Sequence, residues 1–133
     1  MLGGLLVFAL SAARLAHASQ RNAVIARNIA NADTPGFKAK DVAPFDFADM
    51  VAATATPPKA TRPGHTAGQA PPGRPVIEAR DVPGTDESPD GNTVSLEEQM
   101  VLAAETRGAF DLAATLYAKN LSLLRTAIGR DGR

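Results

Sequence analysis

The chain contains no cysteine. That excludes disulfide cross-links, thiol nucleophiles and cysteine-ligated metal. It has no excess of charge, because fourteen basic and fourteen acidic side chains cancel over 133 residues. The balance argues against a strongly basic nucleic-acid binder and against a highly charged solvating chain. Its two histidines, His17 and His65, lie far apart and form no ligand cluster. Aromatic residues are scarce, with five Phe, one Tyr and no Trp. The apolar fraction of 44% includes 26 alanines, each of which buries little area. At about 25 cal/mol per Å² of apolar burial, such a composition does not build a large compact core. The apolar run from Leu5 to Leu10 is far too short to span a bilayer. The inventory points away from an enzyme and toward helices that need partners.

Proline divides what is present into three parts. Residues 1–33 have none and are rich in Ala and Leu, residues 51–93 hold eight of the ten, and residues 94–128 again have none. The expected organisation is an N-terminal helix over 1–33, a turn with short extended segments and a Pro/Gly-rich loop over 34–93, and a C-terminal heptad helix over 94–133. Net charge follows the division. Residues 1–40 carry five bases and one acid, residues 41–93 four bases and eight acids, and residues 94–133 five of each.

The C-terminal segment has the clearest pattern. Steps of four and three pick out Leu96, Met100, Ala103, Arg107, Phe110, Ala114, Tyr117, Leu121, Leu124 and Ile128, of which only Arg107 is neither apolar nor aromatic. A stripe of this period keeps one seam turned toward a partner helix. Ser95 and Glu98 have the spacing of a capping box, and Gly129 fits a C-terminal stop. Gly108 costs the helix up to about 1 kcal/mol relative to Ala, tolerable if a neighbouring backbone approaches closely there. The N-terminal seam is weaker. Leu5, Phe8, Ala12, Leu15, Ser19, Asn22, Ala26 and Ile29 share one register, and Ala18, Asn22, Ile25 and Ile29 fit almost as well. The expected fold is mostly α, with the terminal helices paired as an antiparallel coiled coil around an irregular middle holding short strands, at Val42 to Phe47 and Val76 to Val82. Residues 51–75 carry Lys59, Arg62 and Arg74 without an acid and read as a solvated loop.

The most specific local signal runs Asn28-Ile29-Ala30-Asn31-Ala32-Asp33-Thr34-Pro35-Gly36-Phe37-Lys38. Pro35 biases Thr34 away from helical angles, and Pro35-Gly36 suit the centre of a type II turn with Gly36 at positive φ. Asn31 and Asp33 can bond backbone groups released at a helix end, and Phe37 is an apolar anchor just after the turn. Physics alone reads this as a helix stop.

The stretch resembles the N-terminal signature of the rod, hook and hook-associated axial proteins of the bacterial flagellum. The fuller run from Asn28 to Asp41, with Pro44-Phe45 following, is most similar to proximal-rod proteins of the FlgB type. Asp90-Gly91-Asn92-Thr93-Val94 ahead of the terminal heptad helix is similar too. The sister FlgC type has a related turn. The opening residues 1–13 and the insert near 55–75 depart from the usual pattern. The resemblance implies a structural, self-assembling rod subunit with no cofactor. It would be exported by the flagellar type III apparatus without signal-peptide cleavage and assembled in the periplasm. The implied partners are copies of itself, other rod subunits, and membrane-ring and ring-rod junction proteins. The motif from Asn28 to Lys38 would contact neighbouring subunits.

Two readings remain beside this one. The sister FlgC type is the first. The second is a secreted helical binding module with a cleaved leader, since Ala16-His17-Ala18 resembles a leader cleavage site, although no base precedes the apolar run and Arg14 interrupts it. An intact Met1 or Leu2 at the mature N-terminus favours the rod, and Ser19 favours the module. Catalytic readings fail on inventory. Glu97-Glu98 are adjacent on a helix and do not face one site, so their role is charge at its N-terminus. No phosphate loop or nucleophile elbow is present, and bases are not interleaved with aromatics.

Overall fold

A computed structural model describes residues 2–49, 77–83 and 86–129. The protein is mostly helical. Helix α1, Leu2–Ala30, and helix α2, Leu96–Gly129, pack against each other along much of their length. Strand β1, Lys40–Val42, pairs antiparallel with β2, Ala79–Asp81, with Lys40 opposite Asp81 and Val42 opposite Ala79. The loop expected over 51–75 lies outside the described residues. Among the described residues, no helix is long and apolar enough to cross a membrane.

α1 ends and α2 begins for local reasons. α1 stops at Ala30, three residues short of the expected end. Asn31 N–H donates to Asn28 O at 3.0 Å, Ala32 N–H to Ile29 O at 3.2 Å and Thr34 N–H to Asn31 O at 3.0 Å. These i to i+3 bonds tighten the exit before Pro35, which has no N–H to continue the ladder. α2 starts after Ser95, whose Oγ accepts from Glu98 N–H at 3.4 Å and donates to Glu97 Oε2 at 3.2 Å. Ser95 therefore caps the helix as expected, but it is Glu97 that its hydroxyl reaches. Both Glu97 and Glu98 lie in the first turn, where the helix dipole favours negative charge. The first strand begins at Lys40 and ends at Val42, not spanning Val42 to Phe47, because Pro44 cannot donate to a ladder.

The contact between the helices follows a different line from the one expected. Gln99, Thr106 and Ala113 are the buried residues of α2, one position N-terminal to Met100, Arg107 and Ala114. Ala103, Ala114, Tyr117, Leu121 and Leu124 flank that line half-buried, while Leu96, Met100, Phe110 and Ile128 are exposed. On α1 the buried line is Ser11, Ala18, Ile25 and Asn28, with Leu10 and Val24 beside it. Ala18 and Ile25 belong to the second expected register and are buried as it requires, whereas Asn22 and Ile29, common to both registers, are exposed. The physical reason is close approach. Small and polar side chains on the line let the backbones come together, and the hydrogen bond between Asn28 and Gln99 at 2.9 Å fixes which residues face each other. Near the other end the Phe8 and Tyr117 rings stack with centroids 4.3 Å apart.

The core is small, and its apolar members are Leu10, Ala18, Val24, Ile25, Ala39, Val42 and Ala113. Thr106 Oγ1 is buried there without a hydrogen-bond partner among the described residues. A hydroxyl left unpaired costs about 1–3 kcal/mol. Thr106→Val keeps the shape and removes the polar atom, so the expected result is a stability gain of about 1 kcal/mol, read as a higher urea midpoint with an unchanged m-value.

Candidate functional site

Two segments distant in sequence meet where α1 ends and α2 begins, and the first of them is the signature stretch. Gly36 has φ +73° and Phe37 N–H donates to Thr34 O at 3.2 Å, so Thr34-Pro35-Gly36-Phe37 forms the turn that Pro-Gly favours. A second turn closes from Gly91 N–H to Ser88 O at 2.8 Å, with Gly91 at φ +83°. The two turns abut. Gly36 N–H donates to Asp90 O at 2.9 Å, and a Cβ on Gly91 would lie 3.4 Å from Gly36 Cα. Glycine at 91 therefore supplies both the backbone angle and the clearance.

Asparagine amides lock the junction. A carboxamide carries the same donor and acceptor as a peptide group and can stand in for a missing strand. Asn28 does so toward β1: its Nδ2 donates to Lys40 O at 2.7 Å, and its Oδ1 accepts from Lys40 N–H at 3.1 Å. The same Nδ2 donates to Gln99 Oε1, so one side chain, only 1% exposed, ties α1, β1 and α2 together. Asn92 does the equivalent from the other segment. Its Nδ2 donates to Asn31 O at 2.9 Å and Thr34 O at 2.7 Å, and its Oδ1 accepts from Val94 N–H at 2.7 Å. Thr93 completes the seam, donating through N–H to Phe37 O at 3.0 Å and accepting at Oγ1 from Ala39 N–H at 2.8 Å.

Below the junction, Arg21 donates to both oxygens of Asp41, from Nε at 2.9 Å and Nη2 at 2.7 Å. This hydrogen-bonded partner raises the guanidinium pKa above its ordinary value, so the arginine side of the pair titrates only in strong alkali. His17 Nε2 lies 2.6 Å from Ala43 O with its ring edge-on to Phe45, and the Arg14 guanidinium lies 5.1 Å from the Phe45 ring centroid. These contacts hold the segment after β1 along α1.

The structure distributes the expected contact residues unevenly. Asn28, Asn31, Thr34, Gly36 and Phe37 enter the hydrogen-bonded junction; Asn31 also donates from Nδ2 to Arg27 O at 2.8 Å. Ile29, Ala30, Asp33, Pro35 and Lys38 are exposed around it, and Phe37 is half-buried. Lys38 pairs with Glu87 at 3.0 Å in solvent, a contact that contributes little. Gln99, Arg21 and Asp41 were not legible as site residues. The signals that could have found them are a glutamine on the first turns of an apolar helix and an acid in the middle of a short strand beside a helix without acids.

Gly36 yields a direct test. No atom lies within 4 Å of a Cβ built on it, so Gly36→Val meets only the backbone penalty of positive φ. The expected loss is about 1–3 kcal/mol in chemical denaturation, and Gly36→Asn, which tolerates left-handed angles, should recover more than half of it.

Nothing at the junction is arranged to move a proton or make a bond. Among the described residues no group of His, Asp and Glu could hold a metal ion. The buried amides hold backbone, and what they hold is the relative position of two chain ends. The chain belongs to the flagellar basal body rod proteins, of the FlgB type, a structural family and not one of enzymes. The family described as Flagella basal body rod protein matches residues 8–38, which cover most of α1 and the signature turn. The flagellar basal body rod protein FlgB of Agrobacterium fabrum is 35% identical over 113 residues, 83% of each chain.

Proposed function

We propose that this chain is a proximal-rod subunit, exported by the flagellar type III apparatus without signal-peptide cleavage. It assembles in the periplasm with copies of itself and other rod subunits, and so links the membrane ring to the distal rod for motility. The observation that carries the reading is the similarity to FlgB over 83% of the chain. The small core is consistent with it, since a chain with so little buried area unfolds cheaply for export and gains the rest of its stability from neighbours. In the assembled state α1 and α2 form an antiparallel coiled coil, with the segment from Asn28 to Lys38 at its end as a subunit contact.

The test is complementation of a strain lacking the corresponding rod gene, with swimming zones and secreted subunit measured together. The wild-type chain should restore swimming and be found in purified basal bodies with its N-terminal residues intact. Among variants, Gly36→Val should lose most motility, Phe37→Ala nearly as much and Asn31→Ala least, all with normal secretion. A silent Phe37→Ala would reduce the signature to a turn, and a mature chain beginning at Ser19 would favour a secreted module instead.

A further inference from the structure

Among the described residues, the contact between α1 and α2 leaves one largely apolar face of α2 unpartnered. Val101, Leu112, Leu116 and Leu123 recur on it at helical spacing and are 58%, 58%, 42% and 60% exposed. Gly108 lies on the same face, in the middle of the helix. A glycine there weakens an isolated helix, and no atom of the described residues stands within 4 Å of where its Cβ would be, so none of them explains it. A missing Cβ at the centre of an apolar stripe is what allows a second backbone to approach closely.

The complementary surface is on α1. Ala12, Ala16, Ser19, Ala23 and Ala26 follow the alternating four-three spacing, and the last three are exposed. Large side chains on one helix and small ones on the other interlock as ridge into groove. Charge agrees with this match. α1 carries no acid, and beyond Arg21, which is paired with Asp41, it has Arg14 and Arg27, whereas α2 carries Glu97, Glu98 and Glu105 before its first base, Arg107. Exposed Arg27 borders the small-residue face; exposed Glu98 borders the leucine face, and Glu105 and Lys119 stand on it, one on either side of the Gly108–Leu116 stretch.

We propose that the Val101–Leu123 face of α2 docks onto the Ala12–Ala26 face of α1 in a second copy of this chain, with Gly108 at the point of closest approach. The two faces are different surfaces, so the contact is heterologous and repeats from copy to copy, each copy offering its free face to the next. This inference rests on the rod-subunit reading and names the surface through which copies meet.

Because the chain has no cysteine, introduced thiols report alone. Full-length chains carrying Leu112→Cys together with Ala12→Cys, Ala16→Cys, Ser19→Cys or Ala23→Cys are oxidised in purified basal bodies. At least one pair should give products at whole multiples of the 13.8 kDa chain, and none should appear with Leu112→Cys alone. No product from any pair, or a product joining this chain to a different protein, overturns the proposal. The second arm is Gly108→Leu. In the isolated protein the space is open, so helicity and the thermal midpoint should hold or rise. In cells, subunit incorporated into basal bodies should fall at least tenfold and the swimming zone should collapse. Normal swimming by Gly108→Leu overturns the seam but leaves the rod reading intact. Absence of the wild-type chain from basal bodies is the separate result that defeats the rod reading itself.

Discussion

Asn28→Ala is expected to destabilise the protein more than any other single substitution at the junction, by about 3–5 kcal/mol. The asparagine is buried and makes three hydrogen bonds, to Lys40 N–H, to Lys40 O and to Gln99 Oε1. Alanine removes all three partners at once and leaves Gln99, itself buried, with an unpaired amide between two helices. The cost comes less from the lost attraction than from polar groups stranded away from water. In a protein of this size and core, that loss approaches the whole stability, so far-UV helicity should fall at 25 °C without denaturant. The double substitution Asn28→Leu with Gln99→Leu discriminates this mechanism from lost packing. It removes the stranded pair between the helices and should recover part of the loss, leaving only the Lys40 groups unsatisfied. No recovery in the double variant would show that the amide pair is not what holds the helices in register.

Asn92→Ala should cost about 2–4 kcal/mol. Its amide satisfies Asn31 O and Thr34 O where α1 unwinds, and its Oδ1 satisfies Val94 N–H ahead of α2. Alanine frees groups on both segments, so the expected signature is local before it is global. In hydrogen exchange, the Val94, Thr93 and Gly36 amides should lose protection first, while the middle of α1 around Val24 and Ile25 retains it. Thr93 and Gly36 are affected because their own bonds, to Phe37 O and Asp90 O, depend on the two turns staying abutted. Uniform loss of protection across the chain would mean that the turns are not a separable unit. Unchanged exchange at Val94 would mean that the asparagine side chain is not its acceptor in solution.

Both predictions bear on function through the same link. The rod-subunit reading needs α1 and α2 delivered to neighbours in a fixed relation, and the junction is what fixes it. A variant that loosens Asn28 or Asn92 should still be secreted, since export favours a chain that unfolds readily, yet should incorporate poorly into basal bodies. The helix faces can be intact and still fail to meet their partners when their relative position is lost.

The sequence by itself determined which elements form and some of their limits. Absence of proline from the two ends, a serine cap before α2 and Pro35-Gly36 after α1 are local signals, and local signals act through the backbone of the residues that carry them. The positive φ at Gly36 and the helix that starts at Leu96 follow from that alone. The signature itself was legible because it is contiguous. Tertiary structure decided which face of each helix is buried. Ranking positions by apolarity selects Met100 and Phe110, but two helices approach most closely where side chains are small, and a buried amide pair outweighs an exposed methionine in setting register. Gln99, Thr106 and Ala113 are the line that results. Likewise, nothing local shows that Asn92 reaches back to Asn31 and Thr34, 61 and 58 residues away. A hydrogen bond of that span exists only after the helices have packed, because packing is what brings the two turns within reach of each other.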